Sequence, residues 1–318
     1  MALIRIIKDW QTPDLLRQTP GGKGEWGGHA FTLEPVEACD YAIILNRVPE
    51  TTALRCPPEN VWLILQEPPV PIYRWQRKGF SQAARVYSPD ASLRGPKFIH
   101  THGALPWHVG KSYDELKKLG PGEKPRRLSW ITSNTSTLAG HRQRMRFREA
   151  LQREVEFDLW GRGFTFIADK WDGLAPYRYS LAVENHVCER YWTEKIADCF
   201  LSWTLPIYCG AADLTRYFPQ ESFVRIDLDD IPGAIRQIKE VIASDLWLRR
   251  RDAIEHARNL VLERHQFFPF IAGEIRAAEA ARASVPLLPK EITLRGLPDF
   301  TAYYRDHNLP TRLWKSLR

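Results

Sequence analysis

No run in this chain of 318 residues approaches the roughly 18 consecutive apolar residues that a membrane-spanning helix needs. The opening MALIRIIKDW has no apolar core followed by a small-residue cleavage site, so no secretory signal is expected. Cysteine is sparse: Cys39, Cys56, Cys188, Cys199 and Cys209 are odd in number, scattered, and set in apolar or strand-like surroundings. With no CxxC among them, neither a disulfide framework nor a thiolate metal site is expected. These absences point to a reduced, cytoplasmic protein, with peripheral contact at the inner face of the cell membrane left open. The glycine-rich PGGKGEWGG at 20–28 is too irregular to be a phosphate-binding P-loop.

What is present is a globular composition, 44% hydrophobic and 26% charged, on a chain long enough for two domains with separate cores. The formal charge of +7 implies an anionic partner. Nucleic acid, an acidic membrane surface and a sugar nucleotide all satisfy it. Twelve tryptophans are many for this length, and most are expected to be packing. Short apolar runs at Ala2–Ile7, Tyr41–Leu45, Val61–Leu65, Arg85–Tyr87 and Phe98–His100 read as strands of a small α/β layer. The first domain is placed at 1–122, with LGPGEKP at 119–125 as the hinge. A second covers 123–285, and a proline-bearing aromatic tail at 286–318 is expected to pack back on the first.

Leu128–Thr132 predicts the first strand of the second domain, followed by the polar loop SNTSTLAG and the helix HRQRMRFREALQREV. Phe147, Ala150, Leu151 and Val155 mark that helix's buried face at helical spacing. From Arg126 to Arg153 there are seven arginines against one glutamate. At 100° per residue Arg144 alone projects inward beside the SNTS loop, while Arg142, Arg146 and Arg148 are expected to form a solvated basic face. An inward arginine with no carboxylate nearby in sequence is costly unless something anionic pairs with it. Further strands are read at Phe157–Trp160, Ser180–Val183, Leu205–Tyr208 and Ser222–Ile226, and helices from Glu194, from Ile231 and over about 245–264. Strands alternating with helices predict a doubly wound parallel sheet, with its ligand at the carboxyl ends of the strands.

The most informative stretch is Tyr179–Gly210. Here the strand stops at Glu184-Asn185, Thr193 sits at the N-cap position, and Glu194 suits the positive helix terminus. Lys195 does not suit it, unless an anion shares the site with the free backbone N–H groups, as a phosphate would. The frame EN-x5-Y-x-TEK over Asn185, Tyr191, Thr193, Glu194 and Lys195, then PIYCG and YFPQESFV, resembles the donor-binding region of the α-1,3-fucosyltransferases, glycosyltransferase family 10. The resemblance runs from about Leu128 to Ala243 and is much weaker over the first 125 residues.

That resemblance implies a GT-B-type fold, two Rossmann-like domains facing each other across a cleft, and an inverting transfer of fucose from GDP-fucose to a glycan hydroxyl. It implies Arg144 and Lys195 on the pyrophosphate, and Asn185 and Tyr191 on the nucleotide sugar. It also implies Ser133 and Asn134 in the donor loop, and Glu194 as a catalytic-site carboxylate near the ribose or fucose. With two cations on the diphosphate, no cofactor or metal is expected. Asp227-Leu228-Asp229 lies between a strand and a helix cap, where a structural role is expected. The imidazoles of His100 and His102 lack a third ligand. Glu67, after the strand-like VWLILQ, is placed as the general base by position. His29, in the loop WGGHAF, is the runner-up. Two alternatives stand behind this leading reading: the same fold and site with another nucleotide sugar, and a non-catalytic nucleic-acid or glycan-binding protein. Nucleic acid is disfavoured, because the basic residues gather beside one loop and helix terminus and not along an extended aromatic-laced face.

Overall fold

The computed structural model describes residues 1–282 and 287–306, which divide into two units, Met1–Pro106 joined by the described residues from Gln266 onward, and Trp107–His265. Both are built on parallel sheets. In the first unit the strands are β1 (Leu3–Ile7), β2 (Glu25–Trp26), β3 (His29–Thr32), β4 (Tyr41–Leu45), β5 (Thr52–Cys56), β6 (Val61–Ile64), β7 (Arg85–Ser88) and β8 (Phe98–His100). Seven of them form one sheet in the order β2-β3-β1-β4-β6-β7-β8, parallel except for the β2–β3 pair. The all-apolar YAIIL of β4 and VWLI of β6 are buried on both faces, as a covered parallel sheet requires.

The second unit opens with α1 (Tyr113–Lys118) and continues through β9 (Arg126–Ile131), α2 (Ala139–Gln152), β10 (Asp158–Trp160), β11 (Tyr177–Val183), α3 (Glu194–Leu201), β12 (Leu205–Cys209) and β13 (Val224–Arg225). It closes with α4 (Ile231–Ala243), α5 (Leu246–Arg249), α6 (Arg251–Leu260) and a π-helical turn at Val261–His265. Its strand order is β10-β9-β11-β12-β13, all parallel. Such an order reverses direction between β9 and β11, so the loops after those two strands diverge and leave a crevice at their carboxyl ends. Side chains alternate across the sheet. Leu128, Trp130, Leu181 and Ile207 pack with Phe147 and Leu151 of α2 and Ile235 and Ile238 of α4. Ala182 and Tyr208 face the other way, onto Ile196 and Phe200 of α3 and Ala257 of α6.

The chain then returns to the first unit. Phe267, Phe268, Ile271 and Ile275 of α7 (Phe267–Ala280) cover one face of its sheet, against Ile4, Ile43, Trp62 and Tyr87. Beyond it, β14 (Lys290–Leu294) pairs antiparallel with β5 from Lys290↔Cys56 to Leu294↔Thr52, and α8 (Phe300–Asp306) follows. The last twelve residues of the expected tail lie outside the described residues. No helix among the described residues is long and apolar enough to cross a membrane.

Three sequence expectations change here. The boundary falls at Pro106/Trp107, before the expected 122, and α7 belongs to the first unit, not the second. The stretch 119–125 is no hinge but part of the second unit: Trp203 Nε1 donates to the Leu119 carbonyl (3.1 Å), and Lys124 is buried with Nζ donating to Ser202 O (2.5 Å) and Thr204 Oγ1 (3.2 Å). The helix expected over about 245–264 is broken into α5, α6 and the π turn.

Burial without a carboxylate partner pulls the Lys124 ammonium down to about 7. A lysine depressed in the folded state binds fewer protons there than in the unfolded chain, whose lysines titrate near ~10.4. Stability at this position therefore rises with pH from about 7 to about 10. Urea midpoints of the wild type and Lys124→Met, compared at pH 6.5 and 9.5, should show that rise in the wild type alone. Equal pH slopes would remove the assignment.

Candidate functional site

The site is built on the loops at the β9–β11 reversal. Glu184 is the first residue past β11, and its side chain is fully buried. Its Oε1 accepts from the Thr193 backbone N–H and hydroxyl, both at 2.8 Å, and its Oε2 accepts from Lys195 Nζ at 3.0 Å. Thr193 is the N-cap of α3, as the sequence suggests. The anion that satisfies Lys195 in the first helical turn is thus a carboxylate of the protein itself. Burial pulls the Lys195 ammonium down, but Glu184 first and Glu194 next outweigh it, and the group is held above its ordinary value. Next to Glu184, Asn185 Oδ1 accepts from the hydroxyl of buried Tyr191 (3.0 Å), which brings two more of the expected donor residues together.

Glu194 is enclosed by cations. Lys170 Nζ lies 3.2 Å from its Oε1, and Lys195 Nζ lies 3.9 Å away. Burial pushes the carboxyl up, yet Lys195 and Lys170 overcome it and hold Glu194 well below the usual carboxylate range. Lys170 also reaches Asp198 Oδ2 at 3.2 Å. Neither Lys170 nor Asp198 carries a motif signal. Their partnership spans 28 residues and exists only in the fold.

Arg144 stands apart. It is only 4% exposed, and its projection from α2 is inward, as the helical frame requires. Its one hydrogen bond among the described residues, Nη2 to Ser133 Oγ at 3.5 Å, is at the limit of such a bond, and its buried Nε has no partner there. Among the described residues no carboxylate lies within ion-pair distance of it. Glu184 and Glu194 act on it only at longer range, and burial lowers its pKa against them. His141, one turn before it, is driven down to about 4 by burial and then by Arg144 and Lys195, so it stays neutral. Arg144 thus lies between the SNTS loop and the start of α3 with Glu184 and Glu194 as its longer-range counter-charges.

The neighbouring cavity, about 830 Å³, has the size of a small-ligand site. Gly140, Gln143 and Arg146 of α2 line it with Glu184, Asn185 and His186 after β11, Gly210 after β12, and Arg225 to Asp229 after β13. Two glycines allow the loops to close on one another. A Cβ on Gly140 would lie 2.0 Å from the Asn185 carbonyl, and one on Gly210 would strike Glu184 Cγ at 2.6 Å. Arg146 is exposed, as expected of the basic face, but it borders this cavity. Asp227 Oδ1 accepts from the Asp229 N–H, and Asp229 Oδ1 accepts from Gln143 Nε2, so both do turn-forming work at the cavity wall. Among the described residues no three His, Cys, Asp or Glu groups converge as a metal site would need.

Asn134 is held by its backbone to the Arg162 carbonyl, with its side chain against Gly163, so it shapes the loop beside Ser133. In the first unit Glu67 is half-buried just beyond the carboxyl end of β6, after Gln66, whose backbone N–H is fixed by Asn46 Oδ1 at 2.8 Å. His29 is not in a loop: it is the first residue of β3, paired with Trp26. In a parallel sheet that is the amino-terminal edge, opposite to the edge that carries Glu67.

Truncating Glu184 should destabilise the fold more than any other change at this site, because it strands a buried ammonium and an N-cap N–H together. Glu184→Ala is expected to cost about 3–5 kcal/mol in urea unfolding, the usual penalty for breaking a buried pair from one side. A loss below about 1 kcal/mol, the scale of an exposed pair, would show that the carboxylate is not the anchor of α3.

Residues 121–242 match glycosyltransferase family 10 (fucosyltransferase), C-terminal part. Alpha-(1,3)-fucosyltransferase 4 of Mus musculus is 27% identical over 244 residues, covering 73% of this chain and 52% of its own length. Alpha-(1,3)-fucosyltransferase C of Drosophila melanogaster is 30% identical over 135 residues, 39% of this chain and 31% of its own. The chain spans about half the length of the first of these relatives. Among solved structures, an alpha1,3-fucosyltransferase superposes with a TM-score of 0.52 at 15% identity, over 94% of this chain and 92% of that one. An alpha-glucosyltransferase in complex with UDP and a 13-mer DNA containing a central A:G mismatch reaches 0.56 at 12% identity, over 88% and 100%. These likenesses identify the fold as GT-B.

Proposed function

We propose, from the membership of residues 121–242 in glycosyltransferase family 10, that the chain is an inverting glycosyltransferase that moves fucose from GDP-fucose to a hydroxyl of a glycan acceptor. The observation that carries this reading is Arg144: a guanidinium buried to 4% exposure, its Nε without a partner among the described residues, on the helix whose Gly140, Gln143 and Arg146 line a cavity at the sheet's reversal point. An anion arriving there would meet a guanidinium with hydrogen-bonding capacity to spare.

Transfer from a nucleoside diphosphate sugar asks for charge neutralisation on the leaving diphosphate, tolerance of positive charge on the sugar, and removal of the acceptor proton. Arg144 takes the diphosphate as a planar fork, and Lys195, already polarised by Glu184, adds a point charge. Asn185 and Tyr191, with Ser133 and Asn134 in the adjoining loop, hold the nucleotide sugar. Glu194, kept ionised by Lys170 and Lys195, accepts from sugar hydroxyls and faces the developing positive charge. This division of labour needs no divalent cation. Glu67 serves as the general base toward the acceptor. The place of His29 at the amino-terminal strand edge supports Glu67 over it.

Nucleotide binding checks the donor half. GDP should raise the melting temperature well above UDP or CDP at equal concentration. Arg144→Ala should weaken GDP about ten- to a hundredfold, the worth of a charge-assisted contact. Equal shifts with all three nucleotides would sink the fucosyl donor and leave the same site with another nucleotide sugar. Normal GDP affinity in Arg144→Ala would sink the anion site itself.

The base is checked by kinetics. Glu67→Gln should leave GDP binding unchanged and cut turnover by about 10²–10⁴-fold, while His29→Ala turns over like the wild type. A Glu67→Gln protein with wild-type turnover would transfer the role elsewhere.

A further inference from the structure

The donor-site carboxylate Glu194 owes its charge to a residue that no motif marks. Lys170 opens a short 3₁₀ turn, Lys170–Gly173, which is fastened independently: Asp169 Oδ1 accepts from Trp171 N–H at 2.8 Å and from Gly110 N–H at 2.7 Å. From that anchored turn Nζ bridges Glu194 Oε1 and Asp198 Oδ2, each at 3.2 Å. Those two carboxylates sit one turn apart on the same face of α3, and Asp198 is committed on its other oxygen to the His108 N–H at 2.8 Å. The groups facing Glu194 are therefore Lys195, Lys170 and His108, with Asp198 below it, Glu184 across Lys195 and Arg144 of α2 at longer range. Remove Lys170, and two poorly solvated carboxylates confront each other with Lys195 as their nearest cation. Lys195 would then be drawn from Glu184 toward Glu194.

We infer that Lys170 is a positioning residue of the donor site: it holds Glu194 ionised and turned toward the 170 turn, which leaves Lys195 on Glu184 and available to the donor diphosphate. It does so without touching the ligand. The inference rests on the proposed donor site, and its consequences are specific. A purely structural lysine would affect melting alone. A positioning lysine changes the titration of Glu194 and the pH dependence of binding.

The direction follows from the charges. Glu194 is depressed in the wild type by Lys195 and Lys170 against burial. Without Lys170 it titrates at higher pH, so the carboxylate is lost as pH falls through a range where the wild type keeps it. The test is calorimetric titration of GDP into wild type, Lys170→Met and Lys170→Arg from pH 8 down to the lowest pH at which each stays folded, well below each melting temperature, alongside ¹³C NMR titration of labelled glutamate carboxyls over the same range. Lys170→Met should bind GDP more weakly than wild type, and that gap should narrow as pH falls and Glu194 protonates, because a neutral Glu194 no longer draws Lys195 from Glu184. Lys170→Arg should restore most of the affinity and the wild-type pH profile. In the NMR titration the Glu194 signal should move to higher pH in Lys170→Met. An unchanged Glu194 titration, or a Lys170→Met protein that melts lower but binds GDP with the wild-type pH profile, overturns the inference. Failure of the wild type to bind GDP would instead overturn the donor reading. The NMR arm then still decides whether Lys170 governs the charge of Glu194.

Discussion

One buried carboxylate organises the second unit's ligand edge. Glu184 ends β11, yet its side chain turns back to cap the N-terminus of α3 through Thr193 and to fix Lys195. Burying a carboxylate completely costs several kcal/mol unless its lone pairs are filled. Here two donors from Thr193 and one ammonium fill them. The strand end and the helix start are thereby locked in one geometry, and Gly210 on the next strand must lack a side chain for Glu184 to lie where it does. Asn185, Tyr191, Glu194 and Lys195 take their places from this single joint.

From that joint charges alternate along the helix: Glu184, Lys195, Glu194, Lys170, Asp198. Each cation has two anionic neighbours, so the three carboxylates of this ladder carry one charge more than its two ammoniums, and Glu184 and Glu194 also act on Arg144 at longer range. Arg144 and neutral His141 sit outside it, on the α2 side of the crevice.

The sheet topology decides where this happens. Because β9 and β11 are neighbours whose following helices, α2 and α3, pack on opposite faces, their loops part and expose the helix N-termini with the residues just past each strand. In the first unit the same logic puts Glu67 at the carboxyl edge of β6 and His29 at the opposite edge. That unit is completed by residues from Gln266 onward, with α7 covering one face and β14 extending β5, so its core joins the two ends of the described chain.

Much of this was legible in the residues. The apolar runs of β4, β6 and β11, the N-cap at Thr193, the inward phase of Arg144 and the EN-x5-Y-x-TEK frame are local signals. Each depends on the period of a strand or helix, or on the chemistry of one cap, within a few residues. The short strands β2, β5 and β14 were not legible, since partly exposed strands have no continuous apolar run and exist only through their pairing. Nor was the unit boundary, because LGPGEKP has a linker's composition while Lys124 within it is buried against Ser202 and Thr204. The site divides in the same way. Sequence alone determined which side chains point toward the carboxyl edge of the second sheet, since backbone periodicity fixes the direction of a side chain on its own element. Only the tertiary structure decided that Lys195 is paired with Glu184, that Lys170 bridges Glu194 and Asp198, and that no carboxylate among the described residues reaches Arg144. Charge balance in a buried site is a sum over elements distant in sequence, and no local pattern contains it.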